Sequence, residues 1–259
     1  MTEALYGRQA VLECLRAGRR RARRLLVAPG LRPSGVVAEI LDAARAGGVP
    51  VQSVEKRRLD RLTHSGHHQG LVLEADPFRW AQEADIEAAS AAADEPPFLL
   101  LLDHVQDPQN VGSLLRSADA AGVHGVYLPR DRAAAVTPAV VRASSGACEH
   151  LAVAQVANLA QTLQRLKARG VWVCGLDAGP DARSLWEEPL LDEAVAIVVG
   201  SEGTGLARLT RDRCDARVRI PMRGRVASLN AAVAGAIALA EVRRRRAAAT
   251  GRGSRGTSG

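Results

Sequence analysis

Five short apolar segments, each of strand length, alternate with helical patterns between residues 98 and 222. They are apolar on both faces, and such strands must be covered on both sides, as in a parallel sheet between layers of helices. Apolar residues at helical spacing from Val156 to Leu166 mark one of the covering helices. The sequence therefore predicts an α/β fold built on a parallel sheet. The segments are FLLLLD (98–103), GVYLP (125–129), VWVCGLD (171–177), AIVVG (196–200) and VRIPM (218–222).

Changes of composition divide the chain. The segment before Asp76 alternates short helical and strand patterns, which indicates a small α/β domain. An acidic, Ala-rich stretch closed by Pro96 and Pro97 is typical of an exposed linker, with room for one helical turn or more. After Glu241 the sequence has nothing to bury, which favours a mobile basic tail. The predicted organisation is a first domain at 1–76, a linker at 77–96, a second domain at 97–246 and a disordered tail at 247–259.

The positive charge is concentrated at the two ends. The formal net charge is +7, from 35 basic and 28 acidic residues, and residues 1–76 and 243–259 carry the excess. Clustered arginines are the electrostatic footprint of a phosphate-backbone partner, and a solvated face or a solubility tail is the alternative. The two arginine runs are Arg19, Arg20, Arg21, Arg23 and Arg24, and Arg243 to Arg246.

Several classes of protein are not favoured. The four cysteines are scattered and form no Cys-x-x-Cys pair, which argues against a zinc ribbon and a disulfide framework. His64, His67 and His68 are close, but no carboxylate or cysteine joins them at ligand spacing, so we predict no metal. A Gly-x-Gly-x-x-Gly match at Gly251 lies in the tail, without the flanking strand and helix of a dinucleotide site. No segment has membrane-spanning length and the first residues lack a signal-peptide pattern, so we expect a cytoplasmic protein without a membrane partner.

Three polar segments follow predicted strands. The first, after Asp103, contains Asn110-x-Gly112-x-x-x-Arg116, with the asparagine near the start of a helix. The second is Gly200-x-Glu202-x-x-Gly205, which places a carboxylate among glycines. Ligand crevices of open parallel sheets lie at the carboxyl ends of the strands, so these residues are candidates for a site. A helix-capping Asn with a surface Arg, and a plain glycine-rich turn, are the alternatives.

The third segment runs from Ile220-Pro-Met222 to Ser228-Leu229-Asn230 and leads into an Ala-rich helix. Ser228 suits the capping position of that helix. Asn230 would then fall within the first helical turn, where its intrinsic propensity is poor. A residue that breaks a local rule in this way indicates a functional position.

In this order and spacing, the three segments resemble the motifs of the SpoU family of RNA ribose 2′-O-methyltransferases. The match covers about residues 98–242. The resemblance implies a catalytic domain with a trefoil knot, S-adenosylmethionine as cofactor and a homodimer. It implies a reaction centre lined by Arg116, Asn110, Glu202 and Asn230. It also implies a cofactor site formed by Gly200, Ile220 and Leu229, with Val199, Met222 and Ser228 as neighbours.

The first domain extends the resemblance. Tyr6-Gly7-x-x-Ala10-Val11 and His68-Gln69-Gly70 are similar to the substrate-binding domain of the bacterial 23S rRNA guanosine 2′-O-methyltransferases. This similarity makes a guanosine of 23S rRNA the favoured substrate, with tRNA or another rRNA nucleotide, or an RNA-binding protein with an inactive site, as alternatives. The candidate RNA-binding residues are Arg8, Arg20, Arg21, Arg23, His68 and Gln69.

Two positions depart from the family pattern, and the role of one motif residue stays open. His104 and Ala232 stand where many relatives have a smaller residue and a serine, respectively. Arg116 is the family's proposed assistant in removing the hydroxyl proton. Because an arginine is nearly always protonated, stabilising the developing oxyanion or gripping a phosphate are equal alternatives.

Overall fold

The computed structural model describes residues 2–64, 66–226 and 228–253. The chain forms two compact units, one of Met1–Arg79 with Ala135–His150 and one of Trp80–Ala134 with Leu151–Gly259. The strands are β1 (Glu3–Tyr6), β2 (Ala22–Val27), β3 (Val51–Ser53), β4 (Leu71–Ala75), β5 (Phe98–Asp103), β6 (Gly125–Pro129), β7 (Val153–Val156), β8 (Trp172–Leu176), β9 (Arg183–Ser184), β10 (Val195–Gly200) and β11 (Ala216–Arg219). The α-helices are α1 (Arg8–Ala17), α2 (Val36–Ala46), α3 (Lys56–Leu62), α4 (Glu83–Ala92), α5 (Pro108–Ala120), α6 (Pro138–Ala143), α7 (Leu159–Ala168), α8 (Arg208–Arg211) and α9 (Ala231–Gly253).

The first unit is built on a four-stranded sheet of order β1-β4-β2-β3. Strand β4 pairs antiparallel with β1 and β2, and β3 pairs parallel with β2. The described part of this unit thus has the small α/β architecture that the sequence predicts. It also takes in α6 and the turn after it, because Glu149 forms a buried ion pair with Arg20. The first unit is therefore discontinuous in the chain, which the predicted boundary at residue 76 does not show.

The second unit contains a seven-stranded sheet of order β7-β6-β5-β10-β8-β11-β9, in which every neighbouring pair is parallel. The central strands β5 and β10 are buried along their whole length. Leu99 and Leu101 pack in one cluster with Leu163 of α7, and their neighbours in β5 face the other side of the sheet. On that side, α9 approaches so closely that a Cβ at Gly235 would lie 2.3 Å from a Leu114 methyl of α5. The predicted helix-covered parallel sheet is confirmed.

The predicted linker contains a packed helix. Helix α4 begins with a capping box in which the Gln82 backbone N–H donates to Asp85 Oδ2 at 2.7 Å. Ile86 of this helix is 1% exposed and lies against Gly125 at the start of β6. One buried isoleucine thus docks an otherwise acidic, Ala-rich segment on the sheet, and charge patterning alone gives no sign of this contact.

The C-terminal helix is longer than the sequence predicts. Helix α9 continues through Gly253, so residues 247–253 are helical and not disordered. Alanine has the highest helix propensity, and extending a helix that is already docked is far easier than nucleating one. The remainder of the predicted tail, residues 254–259, lies outside the described residues. No helix in the described ranges combines the length and apolar content that crossing a bilayer would need.

Arginines of the second run form ion pairs and hydrogen bonds within the second unit. Arg243 forms a two-pronged ion pair with Glu95, with both N···O distances at 2.8 Å. Arg246 is 7% exposed and donates to the carbonyl oxygens of Pro96 and Pro97. Arg245 pairs with Glu241 and Asp192. These arginines dock α9, which contradicts the reading of the whole run as a phosphate-binding footprint.

Replacing Glu95 by Gln is expected to lower the free energy of unfolding by about 1 kcal/mol at pH 7. The hydrogen bonds from Arg243 hold the pKa of Glu95 below its usual value of 4.5. A carboxyl group with a depressed native pKa stabilises the fold above its unfolded pKa and loses that effect as the pH falls through the native pKa. The difference between the two proteins should therefore shrink below pH 4.5 in denaturant titrations.

Asp94→Asn is the matched control, because Asp94 is the exposed neighbouring carboxylate. It should change stability by less than about 0.5 kcal/mol at either pH. A Glu95→Gln effect that is equal at pH 7 and pH 4 would contradict this account of how α9 is docked.

Candidate active site

Helix α5 places Asn110 at the carboxyl edge of the sheet. The helix starts directly after a short loop that follows β5, with Asp107 Oδ1 accepting the Gln109 backbone N–H at 3.1 Å and Pro108 in the first turn. Asn110 is 6% exposed. Its amide is thus held inside the unit rather than in solvent.

The loop after β10 presents Glu202 beside this asparagine. Ser201 and Gly205 exchange backbone hydrogen bonds of 3.1 and 3.0 Å, which closes a tight turn around the carboxylate. Gly203 and Gly205 have φ values of 80° and 66°, a region that L-residues with side chains rarely occupy. The glycines of the second motif are therefore required by the turn that carries Glu202.

Asn230 lies immediately before α9 and caps it. Its Oδ1 accepts the backbone N–H groups of Ala232 at 2.9 Å and Val233 at 3.3 Å. The prediction that Ser228 caps this helix and that Asn230 breaks a local rule within the first turn is wrong, because the helix starts at Ala231. Capping with Oδ1 leaves the Nδ2 group of Asn230 to point at the other two motifs.

The three motifs meet in one hydrogen-bonded cluster, the amide–carboxylate triad of Asn110, Glu202 and Asn230. Asn110 Nδ2 donates to Glu202 Oε1. Asn230 Nδ2 donates to the same oxygen at 2.7 Å and to Asn110 Oδ1 at 3.0 Å. Within the described residues nothing donates to Glu202 Oε2, so this oxygen remains available as an acceptor. Two amides thus fix one carboxylate in a single orientation at the sheet edge.

A cavity of about 600 Å³ opens on one side of the triad. It lies at the ends of β8, β10 and β11, and its wall includes Glu202 and Asn230. Apolar side chains there suit an adenine ring, and the carboxylate of Glu202 suits a cationic sulfonium. The residues therefore fit S-adenosylmethionine. All six predicted cofactor residues line this first cavity: Val199, Gly200, Ile220, Met222, Ser228 and Leu229.

A second cavity of about 570 Å³ also borders the triad. It is lined by Asn110, by the loop from His104 to Asp107 and by Arg132. Ser201, Glu202 and Gly205 line both cavities. The carboxylate of Glu202 therefore stands between two spaces, one of which fits the cofactor.

Arg116 is not brought into the triad. Its side chain is exposed on α5, and it is absent from the walls of both cavities. Six residues along an α-helix turn the chain by about 600°, so Arg116 points about 120° away from Asn110. Arg116 therefore leaves the helix on a different side from Asn110, and both the common direction of the two side chains and the role of Arg116 stay predictions.

The predicted RNA-binding arginines fall into two groups, of which one is exposed and the other is buried. Arg8, Arg21 and Arg23 are exposed in the first unit. The side chain of Arg20 is 1% exposed and its guanidinium is taken up by Glu149 and Glu3. The prediction that Arg20 contacts RNA is therefore wrong, since a buried, fully paired guanidinium cannot reach a phosphate.

His68 and Gln69 hold the first unit together. His68 is 5% exposed, with Nδ1 accepting the Gly70 backbone N–H at 3.0 Å and Nε2 at 3.0 Å from Asp60 Oδ1. Gln69 Oε1 accepts the backbone N–H of Arg8 at 3.0 Å, which satisfies the first residue of α1. The structure thus gives the His68-Gln69-Gly70 motif a structural role, and the burial of His68 contradicts its assignment as an RNA contact.

Sequence reasoning missed a second pair at the site. Asp103, at the end of β5, is fully buried and lies 2.6 Å from His104 Nδ1. Its other oxygen accepts the Ala207 backbone N–H at 2.7 Å, which ties the end of β5 to the second motif. A carboxylate that ends an apolar strand and is followed by a histidine was the available signal.

The cysteines take no part in this chemistry. Burial raises the pKa of Cys14, Cys148, Cys174 and Cys214 to about 12. All four are therefore protonated thiols at neutral pH and poor nucleophiles. Their role as packing residues agrees with their scattered positions.

Comparison with known proteins gives the family of the chain. Residues 97–240 match the SpoU rRNA methylase family, and residues 4–81 match the RNA 2′-O ribose methyltransferase substrate-binding family. The chain is 39% identical to the TrmH family tRNA/rRNA methyltransferase YacO of Bacillus subtilis over 242 residues, which covers 93% of this chain and 95% of that protein. A tRNA/rRNA methyltransferase of Mycobacterium ulcerans is 43% identical over 246 residues, 95% of this chain and 78% of that protein.

Solved structures give the same result. The SpoU methyltransferase AviRb of Streptomyces viridochromogenes, crystallised with AdoMet, has a TM-score of 0.76 and 25% identity, over 95% of this chain and 90% of that chain. A crystal structure of an RNA 2′-O ribose methyltransferase has a TM-score of 0.76 and 27% identity, over 94% and 88%. With the parallel seven-stranded sheet, these likenesses establish the α/β knotted methyltransferase fold and the S-adenosylmethionine cofactor. The chain belongs to the SpoU family of RNA ribose 2′-O-methyltransferases.

Proposed function

We propose that this enzyme methylates the ribose 2′-hydroxyl of a guanosine in 23S rRNA. The observation that carries the proposal is the position of Glu202 between two cavities, one of which fits the cofactor. Methyl transfer is an in-line displacement, so the donor and the attacking oxygen need adjoining sites. The second cavity supplies a place for the target nucleotide next to the cofactor.

The triad orients the attacking hydroxyl. S-adenosylmethionine supplies an electrophilic methyl group when it is bound. Glu202 Oε2 accepts a hydrogen bond from the 2′-hydroxyl, while Asn110 and Asn230 hold the other carboxylate oxygen in place. A hydroxyl that donates to a fixed carboxylate keeps a lone pair available for attack, and recognition of the 2′-hydroxyl selects RNA over DNA.

The substrate class rests on the first unit. Its match to a substrate-binding family supports recognition of a folded RNA, and the relatives are named for both tRNA and rRNA. We favour 23S rRNA because the first-domain motifs resemble those of the 23S rRNA guanosine enzymes. Methylation of tRNA is the second candidate.

Transfer of a labelled methyl group tests these assignments. Unmodified transcripts of 23S rRNA, 16S rRNA and a tRNA pool are incubated with the enzyme and methyl-labelled S-adenosylmethionine, and the RNA is digested to nucleosides for mass spectrometry. We expect label in 2′-O-methylguanosine from 23S rRNA. Label confined to tRNA would favour the second candidate, and RNA binding without any transfer would show that the site is inactive.

Replacing Arg116 by Ala is expected to lower the rate of methyl transfer by about 100-fold. The proposed role of its guanidinium is to grip an RNA phosphate or to stabilise the negative charge that develops on the reacting oxygen. Cofactor affinity, measured by calorimetry, should stay within about twofold, because Arg116 does not line the first cavity. A normal transfer rate would remove Arg116 from the reaction.

We also propose a cytoplasmic homodimer. Two apolar side chains near the third motif are unusually exposed, namely Val226 at 70% and Val233 at 47%. A second copy of the chain would cover this surface. Light scattering should give twice the mass of one chain, and a monomer at micromolar concentration would contradict the proposal.

A further inference from the structure

His104 lies on the wall of the second cavity and is held there by a buried carboxylate. Its Nδ1 atom is 2.6 Å from Oδ1 of Asp103, and Asp103 is fully buried. The imidazole itself is 36% exposed, so its other edge is accessible. Among the residues that the structure describes, none bonds to His104 Nε2. One edge of the ring is therefore fixed and the other remains open for a ligand.

The backbone at this cavity is strained. His104 has a φ of 60° and Arg132, on the same wall, has a φ of 56°. A left-handed conformation costs a non-glycine residue about 1 kcal/mol or more, and such strain concentrates at functional sites. A glycine at position 104 would adopt this conformation without that cost. The side chain of His104 therefore has a use that offsets its strain.

Asp103 determines the hydrogen-bonding character of the exposed edge. One of its oxygens accepts the Ala207 N–H and the other faces His104 Nδ1. A carboxylate can only accept, so Nδ1 carries the proton. In the neutral ring, Nε2 is then an acceptor. When the ring is neutral, the exposed edge thus presents a fixed acceptor to whatever occupies the second cavity.

We propose that His104 is a specificity-determining residue that accepts a hydrogen bond from the base of the target nucleotide through Nε2. Guanine fits this acceptor best, because one edge carries both an N1–H and an exocyclic amino group. Uracil offers a single imino donor between two carbonyl oxygens, which face an acceptor unfavourably. The inference rests on the proposed function, since it places the target nucleotide in the second cavity.

Asp103 acts through His104 as a positioning residue, and its amide analogue should shift the preference away from guanine. In Asp103→Asn, the side-chain oxygen stays with the Ala207 N–H and the amide NH₂ group faces His104 Nδ1. Nδ1 must then accept, so the ring proton moves to Nε2 and the exposed edge becomes a donor. For a base that presents a carbonyl to His104 Nε2, kcat/KM would rise relative to that for guanine. Lost stability alone would lower all rates and would not change the order of the bases.

The experiment compares transcripts that differ only at the modified nucleotide. The position is first mapped with the wild-type enzyme, and transcripts with G, A, C or U there are then methylated by wild type, His104→Ala, His104→Phe and Asp103→Asn. His104→Phe keeps a ring but removes the acceptor, which separates hydrogen bonding from stacking. His150→Ala is the matched control, because His150 is 38% exposed and also pairs with a carboxylate, Glu13, at 2.9 Å, but does not line the second cavity.

We expect the wild-type kcat/KM to favour G over U, and both His104 variants to lower that ratio by roughly five- to tenfold, the effect of one hydrogen bond. Asp103→Asn should lower it at least as far, and the His150 control should leave it unchanged. A wild-type preference for U, or a G/U ratio in the His104 variants within twofold of wild type, would overturn the role of His104 alone. Absence of any transfer by the wild-type enzyme would overturn both this inference and the proposed function.

Discussion

Replacing Glu202 by Ala is expected to lower the single-turnover rate of methyl transfer by a factor of about 10³. The change removes the acceptor of the 2′-hydroxyl. It also removes the oxygen that receives hydrogen bonds from both Asn110 and Asn230, so their amides lose their common partner. The effect should exceed that of any other substitution in the triad, because only Glu202 contacts both cavities and both asparagines.

Glu202→Gln separates geometry from charge. The glutamine keeps one oxygen for the two amides and replaces Oε2 by an NH₂ group, which cannot accept from the hydroxyl. Its rate should therefore be low while its stability stays close to wild type. Glu187→Ala, at an exposed carboxylate of the same unit, is the control and should be fully active. An active Glu202→Ala enzyme would show that the carboxylate does not orient the nucleophile.

Gly200→Ala is expected to abolish detectable binding of S-adenosylmethionine and to lower the free energy of unfolding by about 3 kcal/mol. Gly200 ends β10 and lines the first cavity. A Cβ there would lie 2.3 Å from the carbonyl carbon of Gly205 and 2.5 Å from the backbone nitrogen of Leu206. Because these are backbone atoms, relief requires the whole Glu202 turn to move. Calorimetry with the cofactor and denaturant titration measure the two effects.

The neighbouring loop offers a matched control. A Cβ at Gly224 meets nothing within 4 Å, and Gly224 is not among the glycines with positive φ. Gly224→Ala should therefore bind the cofactor as wild type does. If Gly200→Ala also binds normally, the turn after β10 does not shape the cofactor site in the way described.

The sequence predicts the parallel sheet and the meeting of the three triad residues, for a physical reason. Continuous apolar strands have few other ways to bury both faces, and their carboxyl ends meet at one edge. Asn110, Glu202 and Asn230 each follow such a strand, so their convergence depends on topology more than on local detail. The six predicted cofactor residues share that edge and line the first cavity together.

Partnerships between distant residues could not be predicted in the same way. Arg20 belongs to an arginine run, yet its partner Glu149 is 129 residues away and only the fold brings them together. The predicted cap at Ser228 is wrong for a local reason, since a shift of one or two residues in a helix start decides whether Asn230 caps the helix or disturbs it. Arg116 shows a third limit. The motif gives its spacing from Asn110, but it does not show the side of α5 from which the Arg116 side chain leaves.

The proposed reaction centre requires Asn110 and Glu202 to act as one unit, and a double-mutant cycle measures this directly. Single-turnover rates of methyl transfer are compared for wild type, Asn110→Ala, Glu202→Ala and the double variant. If the asparagine acts by holding the carboxylate, Asn110→Ala should slow the wild-type enzyme by at least tenfold and the Glu202→Ala enzyme by less than about threefold. The same factor in both backgrounds would mean that the two side chains work independently, and would contradict a single reaction centre built from the three strand ends.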